Sequence, residues 1–232
     1  MQEFKDNNEA EQAFETKKER YRKHVLLTAI SVVLFILLAG YVHAGVTLGF
    51  ESWIYSKSVA FMSPAVTSVI KGITHLGDSI VVIAFCLLII AIPKTRKTIA
   101  LPVSAAVTLS ALLNMLLKEL FARERPDILR LINETSYSFP SGHAMINATL
   151  YTMLIIMVFR FIKSRPRRLA LAVPCALMAV LIGFSRVYLG VHYAGDILGG
   201  WIIGFAVAII VYALWKALLQ RRSSKPDSST LA

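Results

Sequence analysis

The stretch SRVYLGVHYAGD, from Ser185 to Asp196, lies between two long apolar runs. Charged side chains are costly near hydrocarbon, so an arginine, a histidine and an aspartate at such a boundary indicate a function. His192 and Asp196 are four residues apart and share a face if the stretch is helical. A carboxylate beside an imidazole fixes its tautomer and makes the other ring nitrogen a better nucleophile, and Arg186 adds planar donors suited to phosphate. On its own, however, the stretch is also typical of a helix end anchored at lipid headgroups.

The apolar content of the chain indicates a membrane protein. The 232 residues are 56% hydrophobic, with a mean hydropathy of +0.62, whereas soluble domains are about 45–50% apolar. Six apolar runs predict an all-α, polytopic fold with six transmembrane helices. These spans lie at about 25–44, 72–92, 98–117, 144–159, 169–184 (with a kink expected at Pro174) and 193–218. The net charge of +11 does not indicate nucleic acid, because the basic residues cluster in short segments between the runs. The lipid bilayer is the expected partner.

The distribution of basic residues predicts the topology. Six spans place both termini on one side, and the two tails with the loops after the second and fourth spans hold 18 of the 25 Lys and Arg residues. Positive charge marks the cytoplasmic side, so both termini are expected inside. The chain then divides into a cytoplasmic segment at 1–24, a membrane domain at 25–219 and a disordered cytoplasmic tail at 220–232. The basic residues on the outward side contravene this positive-inside rule, which indicates that they are retained to bind a ligand.

Two segments with polar or aromatic residues allow alternatives. Phe50, Trp53 and Ile54 have helical spacing, which predicts a helix in the headgroup plane; it is either an ordinary aromatic belt or a sill over which a lipid enters. His75 and Asp78, three residues apart in the second span, share a helix face. They are either functional or the polar cap of a buried network.

Four glycines in the sixth span form two small-xxx-small pairs, 195/199 and 200/204. Such pairs let helices approach closely. The sixth span is therefore expected to pack tightly and to hold His192 rigidly.

Two further clusters accompany the opening stretch on the outward side. Lys118 and Arg125 are seven residues apart and lie two turns apart if the helix continues. The motif PSGH at 140–143 opens the fourth span; Ser141 is a good N-cap, and the first free amides of a helix bind anions. Each cluster alone is common in membrane proteins. Together they supply three cations, free amides, two histidines and a carboxylate, which suits phosphate chemistry with a nucleophile and an acid.

The sequence predicts neither a metal nor any other cofactor. Cys86 and Cys175 lie inside apolar runs, and neither has metal-ligand spacing. Cations of the chain must then stabilise the charge that a metal ion stabilises in other phosphoryl-transfer enzymes.

The three clusters together resemble the signature of the type-2 phosphatidic acid phosphatase superfamily, whose members are relatives of the vanadium haloperoxidases. That signature reads K-x6-R-P, then P-S-G-H, then S-R-x5-H-x3-D, and residues 118–126, 140–143 and 185–196 match it in order. The chain is similar to the small bacterial membrane enzymes of this superfamily. The resemblance implies a multi-pass protein of a bacterial cell membrane whose active site faces the extracytoplasmic side.

The resemblance also implies a role for each signature residue. His192 is the nucleophile that forms a phosphohistidine, Asp196 orients it, and His143 is the general acid and then the general base. The phosphoryl oxygens are held by Lys118, Arg125, Ser141, Gly142 and Arg186. Residues outside the signature are expected to support the site or to lie on the surface: Arg123, Glu124 and Asp127, with His75 and Asp78 as further candidates.

The expected activity is hydrolysis of a lipid phosphate without a metal. Phosphatidylglycerol phosphate is the leading substrate and undecaprenyl diphosphate the alternative, with phosphatidic acid or diacylglycerol diphosphate as further candidates. A transporter with His75, Asp78 and Arg186 along its path is disfavoured, because the polar groups cluster at one face. A vanadate-dependent haloperoxidase is disfavoured because those relatives are usually soluble. The sequence leaves the oligomeric state and the lipid entry route open.

Overall fold

Helices make up all the regular structure in the described part of the chain. The computed structural model describes residues 2–46 and 48–223. An all-α fold was predicted and is confirmed. A π-helical turn at Arg96–Ala100 leads into the fifth helix. The α-helices in the described ranges are α1 (Gln2–His43), α2 (Leu48–Val59), α3 (Pro64–His75), α4 (Ser79–Ala91), α5 (Leu101–Phe121), α6 (Gly142–Phe161), α7 (Arg165–Tyr188) and α8 (Ala194–Ser223).

Most of the predicted spans correspond to single long helices. Within residues 2–46 and 48–223, five stretches are long and apolar enough to cross a membrane, and α3 with α4, bent by 45°, adds a sixth when the two are taken as one span. The five stretches are Tyr21–His43, Arg96–Phe121, Gly142–Phe161, Arg165–Tyr188 and Ala194–Leu219. The helix α7 continues through Pro174. The disordered tail predicted from residue 220 is wrong at its start, because α8 extends to Ser223; residues 224–232 lie outside the described residues.

The second span, predicted as one helix, is instead two helices separated by residues 76–78. Packing explains the break. The side-chain amide of Asn147 donates to the carbonyl oxygen of Gly77 at 3.0 Å, and a Cβ on Gly77 would lie only 2.5 Å from Ile182. Asp78 follows in extended conformation (φ −64°, ψ 146°). The bend therefore turns Asp78 toward α6 rather than along a continuous helix.

The helix α6 lies at the centre of the bundle and contacts α5, α7 and α8. Two glycines of α8 allow the closest of these approaches. A Cβ on Gly200 would lie 2.9 Å from the Cβ of Ala144, and a Cβ on Gly204 would lie 2.4 Å from the carbonyl oxygen of Met145. The tight packing expected from the glycine pairs is confirmed. It holds the beginning of α8 against the beginning of α6, where two of the three sequence clusters lie.

The link between the first two spans contains α2, as the spacing of its aromatic residues predicted. Phe50 and Trp53 are 50% and 56% exposed. Ile54 packs against a small apolar cluster formed by α6, α7 and α8. Glu51, on the same helix, is only 2% exposed, so α2 carries a buried carboxylate that its aromatic pattern does not predict.

Candidate active site

The three sequence clusters meet at one end of the bundle, around a cavity of about 340 Å³. This end collects the end of α5, the beginnings of α6 and α8, and the bend between α3 and α4. One wall is apolar and includes Ala111, Met115 and Ile146. The polar lining includes Lys118, Arg125, Glu134, Ser136, His143 and His192.

His192 is buried, and both of its ring nitrogens have polar neighbours. The Nη1 atom of Arg125 lies 3.3 Å from Nε2, and because a guanidinium only donates, Nε2 accepts. The proton therefore resides on Nδ1, which lies 3.3 Å from Asp196 Oδ2 and from Ser138 Oγ. His192 precedes α8 instead of lying on a helix, yet the four-residue spacing still brings it to Asp196. The lone pair of Nε2 is thus on the side of Arg125, which lines the cavity.

The surroundings of His192 keep its imidazole neutral. Burial lowers the pKa of His192 to about 4, and the positive charges of Arg125 and Arg186 act in the same direction. The hydrogen bond and the charge of Asp196 oppose this shift but do not reverse it. At neutral pH the ring is therefore unprotonated at Nε2.

His143 stands in the first turn of α6 and contacts the bend between α3 and α4. Its Nε2 atom lies 2.9 Å from Asp78 Oδ1. The second carboxylate oxygen of Asp78 lies 2.8 Å from Nδ1 of His75. Because a carboxylate accepts, Nε2 of His143 carries the proton in this contact. Asp78 and His75 therefore reach the site, and Asp78 fixes the tautomer and orientation of the His143 ring.

Lys118 and Arg125 meet through a loop and not along a helix. The helix α5 ends before Ala122, which has a left-handed conformation (φ 43°). The helix therefore does not continue from Lys118 to Arg125, and the two cations do not lie two turns apart on it. Their contact is instead made at Ser136. Its hydroxyl lies 3.1 Å from Nζ of Lys118 and 3.2 Å from Nη2 of Arg125. The loop thus gathers both cations at the cavity.

Arg186 is 1% exposed and lies behind the cavity wall. Its Nη1 donates to Thr74 Oγ1 at 2.9 Å, its Nη2 pairs with Glu134, and its Nε has no partner among the described residues. Glu134 also lies 3.7 Å from Arg125. Burial raises the pKa of Glu134, but the charges of Arg186 and Arg125 outweigh burial and hold the pKa below its usual value. An anionic group therefore already lies between the two guanidinium groups.

Ser141 is the N-cap of α6, as the sequence predicted. Its Oγ accepts from the amide of Ala144 at 3.4 Å, and its own amide donates to the carbonyl oxygen of Asp196 at 3.1 Å. The helix begins at Gly142, which lines the cavity with His143. Free amides of a helix N-terminus therefore lie beside the two cations.

The loop between α5 and α6 supplies residues that the sequence analysis missed. Ser138 donates a hydrogen bond to Asp196. Ser136 contacts Lys118 and Arg125, and Glu134 pairs with Arg125 and Arg186. The only sequence signal for them is their position just before the PSGH motif. Arg123 forms ion pairs with Asp196 and with a carboxylate of α2. Asp127 is exposed and does not line the cavity, but it lines an open pocket that shares Arg125, Glu134 and Ser136 with it.

These contacts define a class of site. The site combines a neutral histidine hydrogen-bonded to a carboxylate, a second histidine held by another carboxylate, and three cations around one cavity. This combination suits phosphoryl transfer. The apolar wall of the cavity and the long apolar helices place this site in a membrane protein.

Comparisons with known proteins identify the family. Residues 99–219 match the PAP2 superfamily, to which the chain therefore belongs. Phosphatidylglycerophosphatase B of Bacillus subtilis (strain 168) is 34% identical over 187 residues, which cover 77% of this chain and 90% of that protein. An undecaprenyl-diphosphatase of Sulfolobus acidocaldarius is 25% identical over 189 residues, covering 78% and 87%. The resemblance inferred from the three motifs is confirmed.

Two solved structures share the fold. The crystal structure of a transmembrane PAP2-type phosphatidylglycerolphosphate phosphatase from Bacillus subtilis aligns with a TM-score of 0.73 and 31% identity, covering 82% of this chain and 96% of that one. Aquifex aeolicus LpxE aligns with a TM-score of 0.57 and 26% identity, covering 72% and 94%.

Proposed function

We propose that the protein is an integral-membrane lipid phosphate phosphatase that works without a metal ion, through a phosphohistidine on His192. The observation that carries this proposal is the meeting of Lys118, Arg125 and both histidines at one cavity, with Arg186 directly behind it. Such an arrangement binds a phosphoryl group and offers it a nucleophile.

In the first step, the phosphoryl group takes the place of the Glu134 carboxylate between Arg125 and Arg186. The lone pair of Nε2 on His192 attacks phosphorus, and the bond from phosphorus to the lipid oxygen breaks. His143 enters this step protonated on both ring nitrogens, gives one proton to the departing lipid oxygen and becomes neutral. Asp196 accepts from Nδ1 and stabilises the positive charge that develops on the ring.

In the second step, His143 acts as the base. It accepts a proton from water, and the oxygen of that water attacks the phosphorus of the phosphohistidine. The P–N bond breaks, inorganic phosphate leaves and His192 returns to its neutral form. The free amides at the beginning of α6, capped by Ser141 and starting at Gly142, bind the phosphoryl oxygens in both steps. Asp78 holds the ring of His143 in position throughout.

Phosphatidylglycerol phosphate is the proposed substrate. The 34% identical relative from Bacillus subtilis and the aligned crystal structure, both named for this activity, support the proposal. The apolar wall formed by Ala111, Met115 and Ile146 suits an acyl chain beside the reacting headgroup. Undecaprenyl diphosphate is the second candidate, which the Sulfolobus acidocaldarius relative supports.

The proposed location is a bacterial cell membrane, with the site on the extracytoplasmic side. The cavity lies where α5 and α7 end and where α6 and α8 begin. The strongly basic loops, at 94–97 and 160–168, lie at the opposite ends of these helices. Basic loops mark the cytoplasm, which supports an outward-facing site and cytoplasmic termini.

The test is a comparison of kcat/KM for phosphate release by purified protein. The panel contains phosphatidylglycerol phosphate, undecaprenyl diphosphate and phosphatidic acid in matched detergent, each with and without EDTA. We expect the highest value for phosphatidylglycerol phosphate and no effect of EDTA. A preference for undecaprenyl diphosphate would replace phosphatidylglycerol phosphate as the proposed substrate. A requirement for added Mg²⁺ would contradict the metal-free step. Phosphate release no faster than that of the His192→Ala variant would refute the proposed activity.

A further inference from the structure

A buried ionic pair outside the cavity contacts the carboxylate that supports the nucleophile. Glu51 of α2 is 2% exposed. Arg123 binds it through both terminal nitrogens, at 2.7 and 3.1 Å. The same guanidinium donates to Oδ1 of Asp196 at 2.6 Å, while Oδ2 of Asp196 faces His192. One guanidinium therefore connects the carboxylate of α2 to the histidine–aspartate pair.

The backbone at the beginning of α8 takes part in the same arrangement. The amide of Gly195 donates to Glu51 Oε1 at 3.1 Å, and a Cβ on Gly195 would lie 2.5 Å from that oxygen. Glycine at this position therefore leaves room for the carboxylate, which would otherwise have to shift. On the other side, the guanidinium of Arg123 stacks over the ring of Tyr193 at 4.1 Å. Gly195 and Tyr193, both in the turn that leads to Asp196, therefore contact the Glu51–Arg123 pair.

We propose that Glu51 and Arg123 are positioning residues that hold the carboxylate of Asp196 and, through it, the ring of His192. Neither side chain lines the catalytic cavity, although Arg123 lines the open pocket that shares Arg125 with it. The contact of Arg123 with the histidine–aspartate pair is made at Asp196, so both residues act through that carboxylate. This inference rests on the proposed function, because it assigns these residues to the reaction of that site.

The charges explain why two residues are needed. The charged groups that influence His192 are Asp196 and Arg125, which contact its ring, and Arg186. Arg123 contacts the other oxygen of the Asp196 carboxylate, so both Arg123 and His192 interact with the same negative charge. A lone buried arginine there would draw that charge away from His192, and Glu51 prevents this by balancing the arginine. A buried pair that loses one partner leaves an uncompensated charge, which is strongly unfavourable.

The position of Glu51 also connects the membrane surface with the nucleophile. The helix α2 exposes Phe50 and Trp53, residue types that favour the headgroup region. The same helix carries the buried carboxylate toward α8. The helix that exposes these aromatic side chains is therefore the helix that contacts Asp196 through Arg123.

The test compares Arg123→Gln, Glu51→Gln and the double variant, with Glu124→Gln as a control that changes an exposed neighbouring charge. In Arg123→Gln we expect kcat to fall by about 10- to 100-fold and KM to change by less than about twofold, because an interaction through Asp196 affects the reaction step and not substrate binding. The double variant should recover part of the loss, since no unpaired buried carboxylate remains. Arg123→Lys should lose nearly as much kcat as Arg123→Gln, because one ammonium does not bridge both carboxylates.

A second measurement follows the titration of His192 by NMR with ¹³C-labelled histidine, and it does not depend on turnover. Loss of the Arg123 charge leaves Asp196 uncompensated, so the pKa of His192 should rise by about one unit. The double variant should show a smaller rise, and Glu124→Gln none. A merely structural pair would not produce this order.

The outcomes are distinguishable. If Arg123→Gln matches the wild type in kcat and in the His192 titration, the proposal is overturned. If that variant does not fold, the double variant, which lacks both charges, carries the same test, and wild-type values in it overturn the proposal. If the wild-type protein releases no phosphate while the titration shifts as expected, the proposed function fails and the positioning of His192 stands.

Discussion

The strongest quantitative prediction concerns the protonation of His192. Burial holds its pKa at about 4, compared with about 6.5 for a histidine in water. At pH 5 roughly nine in ten His192 rings should then be neutral, whereas only about 3% of unperturbed histidines would be. The assay is NMR titration of ¹³C-labelled histidine in micelles, with His192 assigned by its absence in His192→Gln. A His192 signal that titrates between pH 6 and 7 would refute the reasoning from burial.

The same shift has a consequence for stability. The folded-state pKa lies below the unfolded value, so the unfolded chain binds more protons between pH 6.5 and 4. The contribution of neutral His192 is complete above pH 6.5 and is lost as the pH falls toward 4, with a total on the order of 3 kcal/mol. The Tm of the wild type should therefore drop more between pH 7.5 and 5 than the Tm of His192→Gln. Parallel curves would contradict this sign.

Other substitutions separate chemistry from folding. His192→Ala and His143→Ala should each abolish phosphate release while the circular dichroism spectrum and Tm stay near wild type; near-normal release by either variant contradicts the mechanism. Asp78→Asn should lower kcat by about 10- to 100-fold, because the His143 ring loses its fixed orientation, whereas His75→Ala, which removes an exposed partner, should change kcat by less than about threefold. Gly204→Ala should destabilise the bundle by about 1–3 kcal/mol, since its Cβ meets a backbone oxygen of α6; an unchanged Tm would show that the helices separate freely.

The sequence predicted the parts of the site that depend on local spacing. The PSGH motif predicted a capped helix, and the spacing of His192 and Asp196 predicted their contact. The signature motifs also predicted that distant segments meet. The predictions of the helix cap and of the contact between His192 and Asp196 are correct because a cap, a short turn or a four-residue spacing restricts the backbone within a few residues.

The features that the sequence did not predict depend on tertiary contacts. The bend between α3 and α4 forms because the side-chain amide of Asn147, which is 70 residues further along the chain, donates a hydrogen bond to the carbonyl oxygen of Gly77. The helix α5 stops before Arg125, and the loop that follows returns both cations to Ser136. Glu51 lies on a helix for which the sequence predicts a position in the headgroup plane, and only the packing of α2 against α8 shows that its carboxylate is buried. No periodicity within one segment contains this information.

The most direct test of the central claim is to trap the phosphoenzyme. Purified protein is mixed with phosphatidylglycerol ³²P-phosphate, quenched with alkali within the turnover time and mapped by mass spectrometry. We predict an alkali-stable, acid-labile phosphoryl group on His192, absent from His192→Ala and persistent in His143→Ala if any residual transfer occurs. Label on another residue, or full turnover by the wild type with none on His192 at any time, would contradict the account.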